Sequence, residues 1–139
     1  MNDPSDGLLD TNVFFHALTT DTHSQECQDF LAALEHGVRR AWLDPLVLHE
    51  LSYSIRHYVK QATKTEIASY LLGVLNWPGV QGDKDLMSDA VERWGSTPGL
   101  AFVDAYLAAL ASKHTVPVYT LNVRELTGQG IQVPRPLPA

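Results

Sequence analysis

Apolar residues recur every three or four positions over several stretches of the chain, and short apolar runs lie between those stretches. The first pattern predicts amphipathic helices. They are expected to begin near Val13 and at Thr22, and then to cover residues 45–59, 64–75, 83–94 and 102–113. The short runs predict strands at residues 7–10, 40–43, 116–121 and 131–133, with a further extended piece at 80–82.

Strands and helices thus alternate along the chain, which is typical of a parallel sheet covered by helices. We predict an α/β fold, specifically a three-layer α/β/α sandwich with a mainly parallel central sheet. The length of 139 residues suits one compact domain, and no linker or repeat interrupts it, so a single domain is expected over residues 1–139. Ligands of such sheets bind at the carboxyl ends of the strands, where Asp10 and Asn122 fall.

Composition narrows the protein class. Hydrophobic residues make up 45% and charged residues 19%, a balance typical of folded globular proteins. The single cysteine, Cys27, cannot form an intrachain disulfide, and the first residues lack the basic start and apolar stretch of a secretory signal. No apolar run approaches the roughly 20 residues that cross a bilayer. We therefore expect a cytoplasmic protein that does not insert into a membrane.

The formal net charge of −6 opposes binding to nucleic acid. This repulsion is reduced if several acids converge on one place and are neutralised there by bound cations. The position of the acidic residues therefore matters more than their number.

Three acids lie where strands end or helices begin. Asp10 follows the first predicted strand, and Thr11 and Asn12 can orient its carboxylate by hydrogen bonds. Glu50 lies in the first turns of the third predicted helix, and Asp104 opens a helix rich in alanine and leucine. Carboxylates are preferred ligands of Mg²⁺ and Mn²⁺, so these acids could hold a divalent cation. The ordinary alternatives are a helix cap, a surface glutamate and a first-turn acid, respectively.

A further polar group follows the strand predicted at 116–121. Thr120, Asn122 and Glu125 offer a hydroxyl, an amide and a carboxylate within about one helical turn. The ordinary alternative is a turn cap. None of these signals is specific when taken alone.

In their order along the chain, these segments resemble PIN-domain ribonucleases, and specifically VapC-type toxins of type II toxin–antitoxin systems. The resemblance spans nearly the whole chain, and its first and third segments are the more specific. The segments are Leu8-Leu9-Asp10-Thr11-Asn12, Glu50, Phe102-Val103-Asp104-Ala105-Tyr106-Leu107-Ala108-Ala109 and Thr120-Leu121-Asn122.

The resemblance implies Mg²⁺- or Mn²⁺-dependent cleavage of RNA phosphodiester bonds by water that the cation activates. Asp10, Glu50 and Asp104 would be the metal ligands, and Thr120 would orient the water or a ligand. Many members of the family carry an aspartate where this chain has Asn122, whereas others combine an asparagine there with an acid three residues later. Either Asn122 or Glu125 is therefore expected to be the fourth group of the site.

The resemblance also implies partners. These are a cognate antitoxin protein, whose peptide lies across the acidic groove, and a second copy of the chain in a homodimer. Cationic side chains, two histidines and aromatic rings that could stack on bases are available to RNA. Most of the cations are expected to be solvated, and the aromatics are expected to be buried. The residues are Arg39, Arg40, Arg56, Lys60, Lys64, Arg124, Trp42, Tyr53, Trp77, His49 and His57.

Two alternative functions remain open at this point. A haloacid-dehalogenase-like phosphatase also uses Mg²⁺ and an aspartate at the end of its first strand, but Asn12 stands where that family has a second acid. A PIN-type interaction module without catalysis would follow if Asn122 has removed an essential ligand. A zinc-protease helix is excluded, because Tyr53 occupies the position of the second histidine after His49-Glu50.

Overall fold

The computed structural model of the protein describes Pro4 and residues 6–139. Met1–Asp3 and Ser5 lie outside the described residues. They make up most of the N-terminal stretch in which no secretory signal is predicted. The chain divides into two compact units, the first running to Lys84 and the second covering Asp85–Ala139. No helix in the described part of the chain is long and apolar enough to cross a membrane.

The described residues of the first unit form four α-helices and two short strands. The helices are α1 (Thr11–Leu18), α2 (Ser24–Glu35), α3 (Pro45–Ser54) and α4 (Lys64–Leu75), and the strands are β1 (Ala41–Trp42) and β2 (Val80–Gln81). Capping explains two of the helix starts. The Asp44 carboxylate accepts a hydrogen bond from the Leu46 backbone N–H at 2.9 Å, and Thr63 forms a capping box with Glu66. The predicted limits of α4 are confirmed.

The two strands pair in parallel, with Ala41 opposite Val80 and Trp42 opposite Gln81. The segment predicted as a first strand joins this pair through one parallel bridge, Leu8 with Trp42, and the Leu9 N–H donates to the Trp42 carbonyl at 2.9 Å. The α/β class and the parallel pairing are thus confirmed. The described sheet has only two strands, so the three-layer sandwich stays a prediction.

The third helix is shorter than predicted. It ends at Ser54 rather than near residue 59, and a 3₁₀ turn follows at Ile55–His57. Leu48, Leu51 and Ile55 are buried as its apolar spacing predicts. Tyr58 is 41% exposed and stacks on Phe15 with 4.7 Å between ring centroids. Beyond Ser54 the α-helix therefore does not continue, and Tyr58 packs against Phe15 instead.

In the second unit, the described helices are α5, which begins at the unit boundary, α6 and α7. They cover Lys84–Ser96, Phe102–His114 and Val123–Thr127, respectively. The small core of this unit contains Ala108 and Ala111 of α6, Leu126 of α7, and Val118 and Ile131 from the intervening and following segments. The high alanine content of α6 is what allows other segments to approach it closely.

The strands predicted at 116–121 and 131–133 are wrong, because the structure has no regular strand in either segment. One backbone hydrogen bond joins them, from the Val118 N–H to the Gln132 carbonyl at 3.0 Å. Pro117 has no N–H to extend such a ladder. Val118 and Ile131 are buried and Val133 packs against the same core, whereas Tyr119 and Leu121 are 63% and 73% exposed. The apolar residues of these segments therefore predicted an inner strand, whereas in the structure only some of them pack into the core.

Candidate functional site

Asp10 lies where the segment bridged to β1 passes into α1. It is the N-cap of that helix, and its Oδ1 accepts a hydrogen bond from the Thr11 backbone N–H at 2.8 Å. The carboxylate is exposed. The capping role considered as an alternative is thus real, and it uses one of the two oxygens of the Asp10 carboxylate. Asn12 is exposed and forms no described hydrogen bond to Asp10.

Glu50 is linked to Asp10 through one hydroxyl group. Thr11 Oγ1 donates to Glu50 Oε1 at 3.2 Å and lies 3.4 Å from Asp10 Oδ1. Thr11 is only 5% exposed, and Glu50 is half-buried on α3. The structure therefore brings together two of the three predicted metal ligands, one on each side of a buried hydroxyl.

Asp104 is a buried acid on the apolar helix α6. It is 9% exposed, as its alanine-rich surroundings indicate. The Asn122 Nδ2 donates to its two carboxylate oxygens at 3.3 and 3.5 Å. These distances describe weak hydrogen bonds, which satisfy a buried carboxylate only in part. Within the second unit, Asn122 is therefore the partner of Asp104.

Thr120 and Glu125 flank Asn122 but have different surroundings. Thr120 Oγ1 accepts a hydrogen bond from the Asn122 backbone N–H at 2.9 Å, which fixes the turn before α7. Glu125 lies in α7, and its Oε2 is buried without a hydrogen-bond partner among the described residues. A buried carboxylate oxygen normally requires a proton donor, a water or a cation. Glu125 thus has unused capacity to bind a cation.

The chemistry of these donors fits a hard divalent cation, because all of them are carboxylate, amide or hydroxyl oxygens. Asp10 and Glu50 lie in the first unit, whereas Asp104, Asn122 and Glu125 lie in the second. Among Pro4 and residues 6–139, no three or more His, Cys, Asp and Glu side chains form a group that could hold a metal ion.

Several residues considered for RNA contacts occupy positions other than those expected. Tyr53, expected in the core, is 57% exposed on α3 and meets His49 edge to face at 5.2 Å between ring centroids. Trp42 and Trp77 are partly buried. Arg40 is engaged in an ion pair with Asp6 at 3.0 Å. Tyr53 is thus the aromatic candidate with the most accessible ring.

Cys27 is unsuited to nucleophilic chemistry. Burial, and then the negative charges of Glu26 and Asp21, raise the pKa of its thiol. A raised pKa disfavours the reactive thiolate.

The sequence indicated that Thr11 orients Asp10, but not that it contacts Glu50. The two residues are 39 positions apart, so only the folded chain shows the contact. The signal that could have suggested it is a hydroxyl residue directly after an acid at the end of a strand. At the first position of a helix, such a side chain is free to bond to another element.

Comparison with known protein families gives a match. Residues 7–124 match the family model described as PIN domain. No curated protein and no solved structure matches the chain. The matched range contains Asp10, Glu50, Asp104, Thr120 and Asn122, and it ends one residue before Glu125.

Proposed function

Since the chain belongs to the PIN-domain family, a family of nucleases, we propose that it is a Mg²⁺- or Mn²⁺-dependent endoribonuclease. Asp10, Glu50 and Asp104 are its metal ligands, and the whole chain over residues 1–139 acts as one nuclease domain. The family match supports this view because it runs through both units and includes all three acids.

The observation that carries the proposal is the contact of Asp10 and Glu50 with a single buried hydroxyl, that of Thr11. Two carboxylates held close together without a cationic side chain between them repel each other, and a bound dication relieves this repulsion. The buried Asp104 supports the same view, because among the described residues it has only a weakly bonded amide partner, and a bound cation would offset the cost of burying the acid.

When bound, the cation neutralises charge on the phosphoryl oxygens and activates a water for attack on phosphorus. Residues of the chain bind and orient the cation. Asp10 and Glu50 offer the oxygens that Thr11 leaves open, and Asp104 offers a carboxylate that Asn122 keeps in one orientation. Thr120 holds Asn122 in place through its backbone. Glu125 is the candidate for the fourth acid, because its Oε2 is buried and unpartnered.

We assign the chain the biological role of the toxin in a toxin–antitoxin pair. A cognate antitoxin protein is its partner, the chain forms a homodimer, and its location is the cytoplasm. These assignments rest on the resemblance of the acidic segments to VapC-type toxins. Co-purification with the product of an adjacent small gene tests the antitoxin, and light scattering of the purified chain tests the dimer.

Cleavage of end-labelled RNA tests the proposed activity. Wild type is expected to cut RNA internally with Mn²⁺ or Mg²⁺ and to be inactive in EDTA. Asp10→Asn keeps the shape of the side chain but removes a charged ligand, so we expect activity to fall by about 100-fold or more. Asp29→Asn is the matched control, because Asp29 is an exposed acid on α2 that bonds only to Gln25 in the described structure.

The outcomes separate the alternatives. Equal cleavage by wild type and Asp10→Asn would show that the activity comes from a contaminant or from another site. Metal-dependent hydrolysis of a small phosphomonoester, without RNA cleavage, would favour the phosphatase. Binding of Mn²⁺ without either hydrolysis would favour the non-catalytic module.

A further inference from the structure

Thr11 is a buried hydroxyl residue between two acids. Its side chain is 5% exposed, although a threonine in the first turn of a helix can usually point into solvent. Its Oγ1 donates to Glu50 Oε1 at 3.2 Å. The same residue presents its backbone N–H to Asp10 Oδ1 at 2.8 Å. One residue therefore fixes the position of two carboxylates that belong to different elements.

The contacts of Thr11 use only one oxygen of each carboxylate. Asp10 Oδ1 and Glu50 Oε1 are the atoms that it engages. Within the described part of the chain, the structure gives no hydrogen bond to Asp10 Oδ2 or Glu50 Oε2. A donor that restrains one oxygen while the other stays open holds a carboxylate in the orientation that a single metal–oxygen bond needs.

We propose that Thr11 is a positioning residue of the metal site, whose hydroxyl orients the Glu50 carboxylate beside Asp10. The inference rests on the proposed function, because it assigns a role to Thr11 in binding the same cation. Thr11 does not itself touch the cation or the substrate. It acts through Glu50, and its backbone acts through Asp10.

A buried hydroxyl with a purely structural role would behave differently. The Ser52 hydroxyl of α3, also buried, donates only to the His49 carbonyl of its own helix at 2.6 Å. Removing it changes a local contact and no acid. Ser52→Ala is therefore the matched control for the loss of a buried hydroxyl two residues from Glu50.

The test measures Mn²⁺ affinity by isothermal titration calorimetry on the full chain. Thr11→Val keeps the size and branching of the side chain but removes the donor, so we expect Mn²⁺ binding to weaken about tenfold, in the range found when ligand-orienting partners are removed. Thr11→Ser keeps the hydroxyl and should restore affinity to within about threefold of wild type. Ser52→Ala should bind like wild type. Thermal unfolding in EDTA checks that each variant folds, and Thr11→Ala replaces Thr11→Val if the latter does not.

A double substitution shows whether Thr11 acts through Glu50. In the Glu50→Gln background, Thr11→Val should cause no further loss of Mn²⁺ affinity, because the carboxylate that it orients is already gone. Wild-type affinity in Thr11→Val, or a full additional loss in the double variant, would overturn the inference and leave the proposed function intact. Failure of wild type to bind Mn²⁺ at all would overturn both.

Discussion

At the residue scale, each unit gives one of its acids a neutral side-chain partner that is a hydrogen-bond donor. Thr11 donates to Glu50 in the first unit, and Asn122 donates to Asp104 in the second. Neither donor carries a charge, so neither compensates the negative charge of its acid. The two donors orient these carboxylates without adding a positive charge beside them, as expected of residues that bind a cation.

Replacing Asn122 tests this view in the second unit. Asn122→Asp exchanges an amide donor for a second carboxylate at 3.3 Å from Asp104 Oδ2. We expect the free energy of unfolding in EDTA to fall by about 1 kcal/mol, a figure reduced because Asn122 is exposed. Saturating Mn²⁺ should remove this loss, since a dication turns the added carboxylate into a favourable group. Thermal unfolding with and without Mn²⁺ measures both effects.

Asn76→Asp provides the control for an added negative charge. The Asn76 side chain donates to the Leu72 carbonyl, away from any of the proposed ligands. Its substitution should cost the same stability in EDTA and in Mn²⁺. An equal cost in both conditions for Asn122→Asp as well would mean that Asn122 plays no part in cation binding.

The sequence placed Asp104 at the start of a helix rich in alanine and leucine, which agrees with its burial. It did not allow the contact between Thr11 and Glu50 to be predicted, because that contact depends on how α1 and α3 meet. That Glu125 Oε2 is buried without a hydrogen-bond partner among the described residues was equally beyond prediction. The sequence thus indicated which residue types could form the site, but not which residues far apart in the chain contact each other.

At the element scale, close backbone approach at Gly79 determines how β2 is placed. The Gly79 N–H donates to the Leu34 carbonyl at 2.8 Å, and its own carbonyl accepts from the Ala41 N–H at 2.9 Å. A Cβ at this position would overlap the backbone oxygens of Arg39 and Leu34. The parallel pairing of β1 and β2, beside the segment that ends at Asp10, therefore depends on a glycine at position 79.

Gly79→Ala should consequently destabilise the protein by about 2 kcal/mol or more, because backbone atoms cannot move aside as a flexible side chain can. Gly73→Ala is the control. Gly73 lies in α4 with no atom within 4 Å of an added Cβ, so alanine should stabilise the helix there by up to about 1 kcal/mol. Urea unfolding of both variants tests the prediction, and equal effects would contradict it.

The turn between α1 and α2 carries a second stabilising feature. The hydrogen bond from His16 at 2.8 Å, followed by that from the His23 backbone N–H, holds the pKa of Asp21 well below its ordinary value of 3.8. A pKa lowered by folding means that the ionised carboxylate stabilises the folded chain. This contribution is complete above pH 3.8 and is lost as the pH falls below that value toward the lowered pKa.

Asp21→Asn should therefore unfold at a lower temperature than wild type at pH 7. The difference between the two proteins should narrow as the pH falls from about 4 to about 2, because wild type then loses the same contribution by protonation. Asp29→Asn, which affects an exposed acid bonded to Gln25, should track wild type at every pH. A difference for Asp21→Asn that stays constant over this range would rule out the assigned role of its charge.

The accuracy of the element predictions depended on local signals. In the structure α4 begins at the capping box of Thr63 and ends before Pro78-Gly79, and α3 begins at Asp44-Pro45. The strand expected at 116–121 had no such signal beyond its apolar residues. A strand is defined by its neighbours, and a single chain segment does not indicate whether a neighbour will be present.

At the scale of the whole molecule, the proposed ligands come from both units. Asp10 and Glu50 belong to the first and Asp104 to the second. The net charge of −6 makes a cation-free chain a poor partner for RNA, so the function assigned here depends on neutralising these acids. The family match includes residues of both units.

Thermal unfolding in Mn²⁺ tests whether both units contribute. At a Mn²⁺ concentration 100 times the dissociation constant, binding to the folded state should add about 2.7 kcal/mol of stability. If one ion takes ligands from both units, the entire transition should move upward together. Asp10→Asn and Asp104→Asn should each remove most of this shift, whereas Asp29→Asn should retain it. Loss of the shift in only one of the two ligand variants would place the ion in a single unit.

The most direct test of the central claim is the anomalous diffraction of a crystal soaked in Mn²⁺. The account predicts a Mn²⁺ peak with oxygen ligands from Asp10, Glu50 and Asp104 at distances close to 2.2 Å, within the range of about 2.0 to 2.6 Å for hard divalent cations. A peak elsewhere on the chain, or carboxylates of these three residues that remain without an ion at saturating Mn²⁺, would contradict it.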